Sequence, residues 1–245
     1  MSSASAAITA AIWGGDVASK IAAMKEGIYN PYREFNAGVN DLFFSSTGLS
    51  ALSEWSYSQF GEVKGYYIST YLRDFLLGTL VYWATAGIWH LVIYRILGNS
   101  LFTSKKRAFP SKDTIIDQMC LAQSSLVVYA ALPVLSELMI ENKITRVYFY
   151  IYEVGGWGPY FLYFFLYIAL VEIGIYWMHR TLHTNKFLYK YVHGLHHKYN
   201  NAVTLTPWAS LAFNPIDGVL QVTIIIFSHH ESSFYTACKP SHSDD

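Results

Sequence analysis

Nineteen residues from Tyr160 to Met178 carry a single charge in the run YFLYFFLYIALVEIGIYWM. At 1.5 Å per residue, a helix of this length matches a hydrocarbon core of roughly 30 Å. Two other runs are long enough to do the same, Phe75–Leu97 and Leu121–Ile140, and a shorter one covers Ile216–Phe227. The sequence therefore predicts an all-α integral membrane helical bundle with three to four transmembrane helices.

The composition favours a membrane protein and argues against a nucleic-acid partner. Apolar residues make up 53% of the chain and charged residues 14%, whereas about 25% charge is typical of soluble domains. Lysine plus arginine balances aspartate plus glutamate at 17 each, and no basic stripe resembles a nucleic-acid footprint. The two cysteines, Cys120 and Cys238, have no metal-binding spacing and cannot form a disulfide framework. Histidine must therefore bind any metal.

Three regions follow from these patterns. Residues 1–70 lack a run long enough to span a bilayer, and we expect them to be peripheral or interfacial. Residues 71–228 form the expected membrane domain, and 229–245 form a divergent polar tail. Basic residues in short loops favour the cytoplasmic side. Four basic residues follow the first apolar run, Lys105, Lys106, Arg107 and Lys112, and four follow the third, Arg180, Lys186, Lys190 and Lys198. The loop between the second and third runs has only Lys143 and Arg146. We therefore expect the segment after Met178 to be cytoplasmic.

Five of the chain's nine histidines lie in that segment, within a stretch of nineteen residues from His179 to His197. Side chains three or four residues apart share one face of a helix, so each cluster can present imidazoles in one direction. The alternative is that these histidines form a solvated surface patch that binds no metal, but this does not explain their helical spacing. We predict a cytoplasmic metal site formed by His179, His183, His193, His196 and His197. His90, alone within an apolar run, is interpreted as a satisfied or interface-facing side chain.

The residue types limit the kinds of metal site that are possible but do not identify the metal. A zinc peptidase would show His-Glu-x-x-His, but Arg180 stands where that glutamate should be. Imidazole suits iron, zinc, copper and nickel, and five histidines exceed the ligands that one catalytic zinc uses, which favours a dinuclear site. Glu172 lies two helical turns before His179 and is either a support for the ligands or a partner of a local polar group. Asp217 is interpreted as a helix cap beside Pro215.

Three stretches carry a resemblance to a known family. They are YWMHRTLH at 176–183, YKYVHGLHHKYN at 189–200 and TLTPWASLAFNPIDG at 204–218, with LPVLSELMIE at 132–141 in support. They resemble the sterol desaturase/fatty acid hydroxylase superfamily, and within it the plant-type delta-7 sterol C-5 desaturases. The resemblance covers roughly residues 70–227.

The resemblance implies a chemistry that spacing alone does not give. It implies a non-haem di-iron (Fe) centre held by the five histidines, which uses dioxygen to introduce a double bond into a ring of a membrane sterol. Electrons would come from NADH-cytochrome b5 reductase through cytochrome b5. It also implies a multi-pass protein of the endoplasmic reticulum membrane with its histidine boxes facing the cytoplasm.

The sequence also departs from the family. A third histidine box is missing after the second, and Asn214 stands where the family usually has histidine. The sequence after Ile226 no longer follows the pattern, although His229 and His230 could replace missing ligands. The expectation is a C-terminally truncated, weakly active enzyme. The alternatives are a non-catalytic truncated isoform that retains membrane or partner binding and, less favoured, a histidine-rich metal transporter.

Overall fold

The described part of the chain consists of helices joined by turns and loops. This computed structural model describes residues 31–98, 110–142, 144–145, 151–200 and 204–222, and within these ranges there is no β-strand. His229, His230, Cys238 and the basic residues at 105–107 and at 143 and 146 lie outside the described residues. The all-α prediction is confirmed.

Five long helices organise the described part of the chain. They are α1 (Pro31–Thr47), α2 (Ser50–Leu91, continued by a π-helical turn at Val92–Ile96), α3 (Lys112–Tyr129), α4 (Ala131–Glu141) and α5 (Trp157–Thr184). Gly61 has φ of 76° and kinks α2, a conformation that residues with a Cβ rarely adopt. The expected boundary at residue 70 falls inside α2.

Three segments are long and apolar enough to cross a membrane. They are Ser50–Ile96, Lys112–Glu141 and Trp157–Thr184, and each contains one of the three long runs expected from the sequence. Of the shorter fourth run, residues 215–222 are helical and the remainder lies outside the described residues. The prediction of three long membrane-capable helices is confirmed.

The apolar core lies between α2 and α3 and is completed by a later segment of the chain. Tyr82 and Ala86 of α2 face Ala122 and Leu126 of α3, and Tyr199, Trp208 and Ala212 fill the remaining space. The amide of Gln123 also joins the two helices, accepting from Trp83 Nε1 and donating to Thr79 Oγ1, both at 2.9 Å. These contacts hold Tyr199, Trp208 and Ala212 against the helix pair.

Helix α5 is the most exposed of the membrane-capable helices. None of its apolar window is buried within the chain, and the large side chains exposed on it include Phe161, Phe165 and Ile173. Such a surface suits contact with lipid acyl chains. The helix ends at Thr184, and its last turns carry the start of the histidine-rich segment, His179 and His183.

A buried polar network joins α1, α2 and α4 at the far end of the bundle. The Arg73 guanidinium is 7% exposed and donates to Asp74 Oδ1 at 2.9 and 3.0 Å and to Asn40 Oδ1 at 2.8 Å. It lies 4.0 Å from Glu137, which also accepts from the Tyr66 hydroxyl at 3.2 Å. Buried charges are tolerated when they are paired and hydrogen-bonded, so this network holds α1 and α4 against α2.

Candidate metal centre

The first histidine pair lies on the last turn and a half of α5. His179 and His183 are four residues apart on one helical face, and their Nε2 atoms are 3.2 Å apart. The helix ends at Thr184, and the Asn185 side chain accepts from the backbone N–H groups of Phe187 and Leu188. This cap turns the chain back toward the pair.

The second histidine cluster does not lie on a regular α-helix. A short helical turn, Lys186–Leu188, leads into a π-helical turn, Tyr189–His193, closed by a 2.6 Å bond from Gly194 N to the Tyr189 carbonyl. Residues 194–199 then form turns. The wider turn differs from the helical face expected from the sequence, yet it brings His193 and His197 together with their Nε2 atoms 3.1 Å apart.

Three imidazole nitrogens lie close to the Nε2 atom of His183. His183 Nε2 lies 3.2 Å from His179 Nε2, 3.2 Å from His193 Nε2 and 3.3 Å from His197 Nε2. A metal–nitrogen distance of about 2.0–2.1 Å places neighbouring ligands of a tetrahedral ion about 3.3–3.4 Å apart. These distances suit neighbouring ligands of one ion, and the ligand atoms of His179, His183 and His193 all lie within 4.8 Å of one another.

His196 lies beside this group rather than within it. Its ring stacks on His193 at a centroid distance of 5.0 Å and an interplanar angle of 13°, and it contacts the Phe213 ring at 5.3 Å. The His179 ring is 6.2 Å away. The structure thus brings all five predicted histidines together, and four of them form a group centred on His183 Nε2.

Asp217 fixes the orientation of His193. Its carboxylate oxygen Oδ2 lies 2.8 Å from His193 Nδ1, and both side chains are fully buried. A carboxylate accepts the Nδ1 proton and leaves Nε2 with a free lone pair, as a metal ligand requires. Gln221 donates to the other carboxylate oxygen at 2.9 Å. Asp217 is therefore a support for the ligand set, and the interpretation of Asp217 as a helix cap is wrong.

The helix cap is Asn214. Its side-chain oxygen accepts from Ile216 N at 2.9 Å, and its amide donates to the Tyr191 carbonyl at 3.2 Å. Asn214 therefore joins the start of helical residues 215–222 to the π-helical turn that presents His193. Capping by Asn is a common solution at helix N-termini.

Glu172 does not reach the histidines. It is exposed, and a separation of seven residues from His179 corresponds to about 10 Å along the helix. His90 lies elsewhere too, with its ring 4.8 Å from Tyr94 and 6.3 Å from Trp208. His90 is therefore a packing partner of the core.

A cleft of about 320 Å³ opens beside the second cluster. His196 and His197 lie at one end, and the wall is formed in part by Leu205, Pro207 and Ala209. Apolar walls with a few polar groups are typical of ligand sites. The cleft offers an apolar molecule a place next to the histidines.

The environment of the second cluster disfavours protonation. Burial lowers the pKa of His197, with a further lowering from the neighbouring His193 and His183, and desolvation of the ring lowers the pKa of His196. Neutral imidazole is the form that binds metal. His196 and His197 are therefore favoured in their ligand form near neutral pH.

Acidification should destabilise the metal-free chain. Because the folded-state pKa values lie below the unfolded value of about 6.5, the unfolded chain takes up protons first as the pH falls. The free energy of unfolding should be fully retained above about pH 6.5 and should decrease below it. Thermal unfolding in detergent at several pH values measures this, and His197→Ala should show a smaller decrease. A midpoint that does not change with pH would contradict the expected linkage.

Removing the Asp217 charge should weaken metal binding. Partners of ligating histidines typically contribute 10–100-fold to metal affinity, so Asp217→Asn should lower affinity by about that factor. Asp117→Asn is the matched control, because Asp117 pairs with Lys198 at a half-exposed position and should change affinity less than about fivefold. Competition with a chromophoric chelator measures both, and equal effects would show that Asp217 is not a support for His193.

Comparison with known proteins agrees with this geometry. The family model "Fatty acid hydroxylase" matches residues 164–238. A Delta(7)-sterol-C5(6)-desaturase of Nicotiana tabacum is 44% identical over 151 residues, 62% of this chain and 55% of the relative. A protein of Arabidopsis thaliana named putative Delta(7)-sterol-C5(6)-desaturase 2 is 39% identical over 160 residues, 65% of this chain and 56% of the relative.

A fungal relative extends the comparison. A Delta(7)-sterol 5(6)-desaturase of Gibberella zeae is 31% identical over 192 residues, 72% of this chain and 53% of the relative. The chain spans about half the length of these curated relatives. No solved structure matches it. On its sequence and its histidine centre, the chain resembles the sterol desaturase/fatty acid hydroxylase superfamily, and within it the plant-type Delta(7)-sterol-C5(6)-desaturases.

Proposed function

We propose that the chain carries the metal centre of a sterol C-5 desaturase, an oxygen-dependent oxidoreductase that introduces a double bond into a sterol ring. The observation that carries the proposal is the grouping of imidazoles at the end of a membrane-capable helix, where His183 Nε2 lies 3.2–3.3 Å from the Nε2 atoms of His179, His193 and His197. The named relatives supply the reaction class.

The donor set fits iron. Imidazole ligands suit first-row metals, and the proposed family chemistry selects iron among them. His179, His183, His193 and His197 would hold one ion of the proposed di-iron pair. His196 would belong to the second position, together with donors from outside this group of four. Iron, when bound, supplies the activation of dioxygen.

The chain's own residues orient the reactants. Asp217 holds the Nδ1 proton of His193 and so fixes the direction of its ring. Leu205, Pro207 and Ala209 give the cleft beside His197 an apolar wall on which a sterol ring can lie without losing hydrogen bonds. In the overall reaction the ring loses two hydrogens, and dioxygen is reduced to water with electrons from cytochrome b5 and its NADH-dependent reductase.

The proposed setting is the endoplasmic reticulum membrane, with the chain crossing it several times. The three membrane-capable helices support a multi-pass arrangement. The basic residues in the last turns of α5 and after it, including Arg180, Lys186 and Lys190, favour placing the histidine segment on the cytoplasmic side. Cytochrome b5 could then reach it from the cytosol.

Sterol analysis tests the proposed activity. The chain is expressed in cells that lack their own sterol C-5 desaturase, and sterols are identified by mass spectrometry. The expected result is a C-5 desaturated sterol from the wild-type chain and none from His183→Ala at equal protein level. A wild-type chain that binds iron but yields no product would contradict the activity. It would favour a second candidate, a non-catalytic metal-binding membrane protein, with which the grouping of these imidazoles also agrees.

A further inference from the structure

Residues 204–218 contact the membrane-capable helices further along their length than is expected for a loop that supports a cytoplasmic site. This segment, here called the descending segment, contains a 3₁₀ turn at Pro207–Leu211 and the start of helical residues 215–222. It packs along α2 and α3, and the charge pattern of those helices gives a scale for its depth. In α2 the residues between Asp74 and His90 are uncharged, and in α3 and α4 those between Asp117 and Glu137 are uncharged.

The contacts place the descending segment at the level of both uncharged zones. The Tyr82 hydroxyl, from the middle of the α2 zone, donates to the Trp208 carbonyl at 2.8 Å. The Ser125 hydroxyl, near the middle of the α3–α4 zone, is 2.8 Å from the Phe213 carbonyl. Further along, the Tyr129 ring lies where a side chain on Gly218 would begin, so a larger residue at this position would have to displace the ring.

An exposed ion pair, formed by residues outside the segment, gives the level at which the segment starts. Lys198 Nζ lies 2.6 Å from Asp117 Oδ2, and both side chains are half exposed. Ser125 is eight residues beyond Asp117 and Tyr129 twelve residues beyond it, distances of about 12 and 18 Å along a helix. The segment therefore descends from the level of the ion pair to the middle of the uncharged zone.

The backbone of the descending segment is satisfied by side chains of the membrane-capable helices. Gln118 is fully buried and donates to the Thr204 carbonyl at 2.6 Å, and its own oxygen accepts from the Thr206 hydroxyl. Together with Tyr82 and Ser125, it provides side-chain donors for three carbonyls of the segment, those of Thr204, Trp208 and Phe213. Non-helical backbone at membrane depth needs such partners, because hydrocarbon offers none.

The composition of the segment agrees with this depth. From Tyr199 to Val222 the sequence has one charged residue, Asp217, and it is buried against His193. Leu205 and Ile216 are 59% and 57% exposed, which favours contact with acyl chains over contact with water.

We propose that residues 204–218 are embedded in the hydrocarbon layer of the membrane, anchored by Tyr82, Gln118 and Ser125, with Ile216 in contact with lipid acyl chains. The cleft lined by Leu205, Pro207 and Ala209 then lies at the upper edge of this layer, next to His197. An apolar molecule dissolved in the bilayer enters it sideways without passing through water. The placement goes beyond the proposed function, because it holds for a catalytic and for a non-catalytic metal centre.

Nitroxide accessibility measures the depth directly. In full-length protein lacking Cys120 and Cys238 and reconstituted in phosphatidylcholine vesicles, a spin label is placed at Ile216→Cys. Two exposed positions calibrate it: Val127→Cys in the uncharged zone of α3, and Thr184→Cys at the end of α5. The expected result is that Ile216 matches Val127, with access to oxygen and loss of access to a water-soluble nickel chelate. Chelate access equal to that of Thr184 would overturn the proposal.

A pair of neighbouring serines tests the anchoring. Ser125→Ala removes a hydroxyl that lies 2.8 Å from the Phe213 carbonyl and 3.0 Å from the Leu121 carbonyl, whereas the Ser124 hydroxyl donates to the Leu121 carbonyl of its own helix. In the Ile216→Cys background, Ser125→Ala should increase chelate access, because the unpaired carbonyl draws in water, and Ser124→Ala should leave it unchanged. Equal access in the two variants would overturn the role given to Ser125.

Discussion

His183→Ala should lower metal affinity by more than about 100-fold, because even the hydrogen-bond partners of ligating histidines contribute 10–100-fold. His183 is the centre of the group, with its Nε2 within 3.3 Å of the Nε2 atoms of His179, His193 and His197. Its loss removes one ligand and widens the gap between the two clusters. Competition with a chelator of known affinity measures the change.

His90→Ala is the control for His183→Ala. His90 packs beside Tyr94 and Trp208, away from the cluster, so its loss should leave the metal affinity unchanged. His196→Ala should fall between the two, because His196 stacks on His193 but lies outside the group of four. Full metal affinity in His183→Ala would refute the assignment of the centre.

Arg73→Met should destabilise the chain by about 3–5 kcal/mol, because removing one partner leaves uncompensated charge in the interior. Asp74 and Glu137 would lose the guanidinium that they face, and Asn40 would lose its donor. For a chain of this length such a loss lowers the unfolding midpoint by at least about 6 °C. Thermal unfolding of the detergent-solubilised protein measures the shift.

The control for Arg73→Met is Arg95→Met, which makes the same change at an exposed position and should have an effect within about 0.5 kcal/mol. Adding Glu137→Gln to Arg73→Met should restore part of the stability, since it removes one of the unpaired charges. If the two single variants unfold at the same temperature, the network does not stabilise the fold.

The three long spans could be predicted because they depend on local composition. The run before Met178 is apolar over the length of a bilayer, and a helix is one of the few structures that satisfies its backbone there. The first histidine pair could also be predicted, because a four-residue spacing on a helix is enough to bring His179 and His183 together.

The second cluster and its support depend on contacts between distant parts of the chain. The π-helical turn at Tyr189–His193 has no simple periodic pattern, so a helical face was the natural expectation for His193 and His196. Asp217 is 24 residues from His193, and a helix cap was a sufficient local explanation for it. One signal was present in the sequence: Asp217 is the only charge between Tyr199 and Val222, and a lone charge in an apolar stretch predicts a functional partner.

The hydrogen-bond partners of the polar residues in the helices also could not be predicted from the sequence. Gln118 and Ser125 interrupt an apolar run, and no local rule states which carbonyls they serve. Their partners, Thr204 and Phe213, are 86 and 88 residues away. Only the packing of the descending segment against α3 explains why these side chains are polar.

The iron content of the purified chain tests the central claim most directly. Protein extracted from membranes and freed of loosely bound ions should contain two iron ions per chain if the proposed di-iron centre forms, and His183→Ala should lose iron from the four-histidine position. One ion per chain would contradict the dinuclear proposal and leave only the group formed by His179, His183, His193 and His197. A wild-type chain without iron would contradict the iron centre itself.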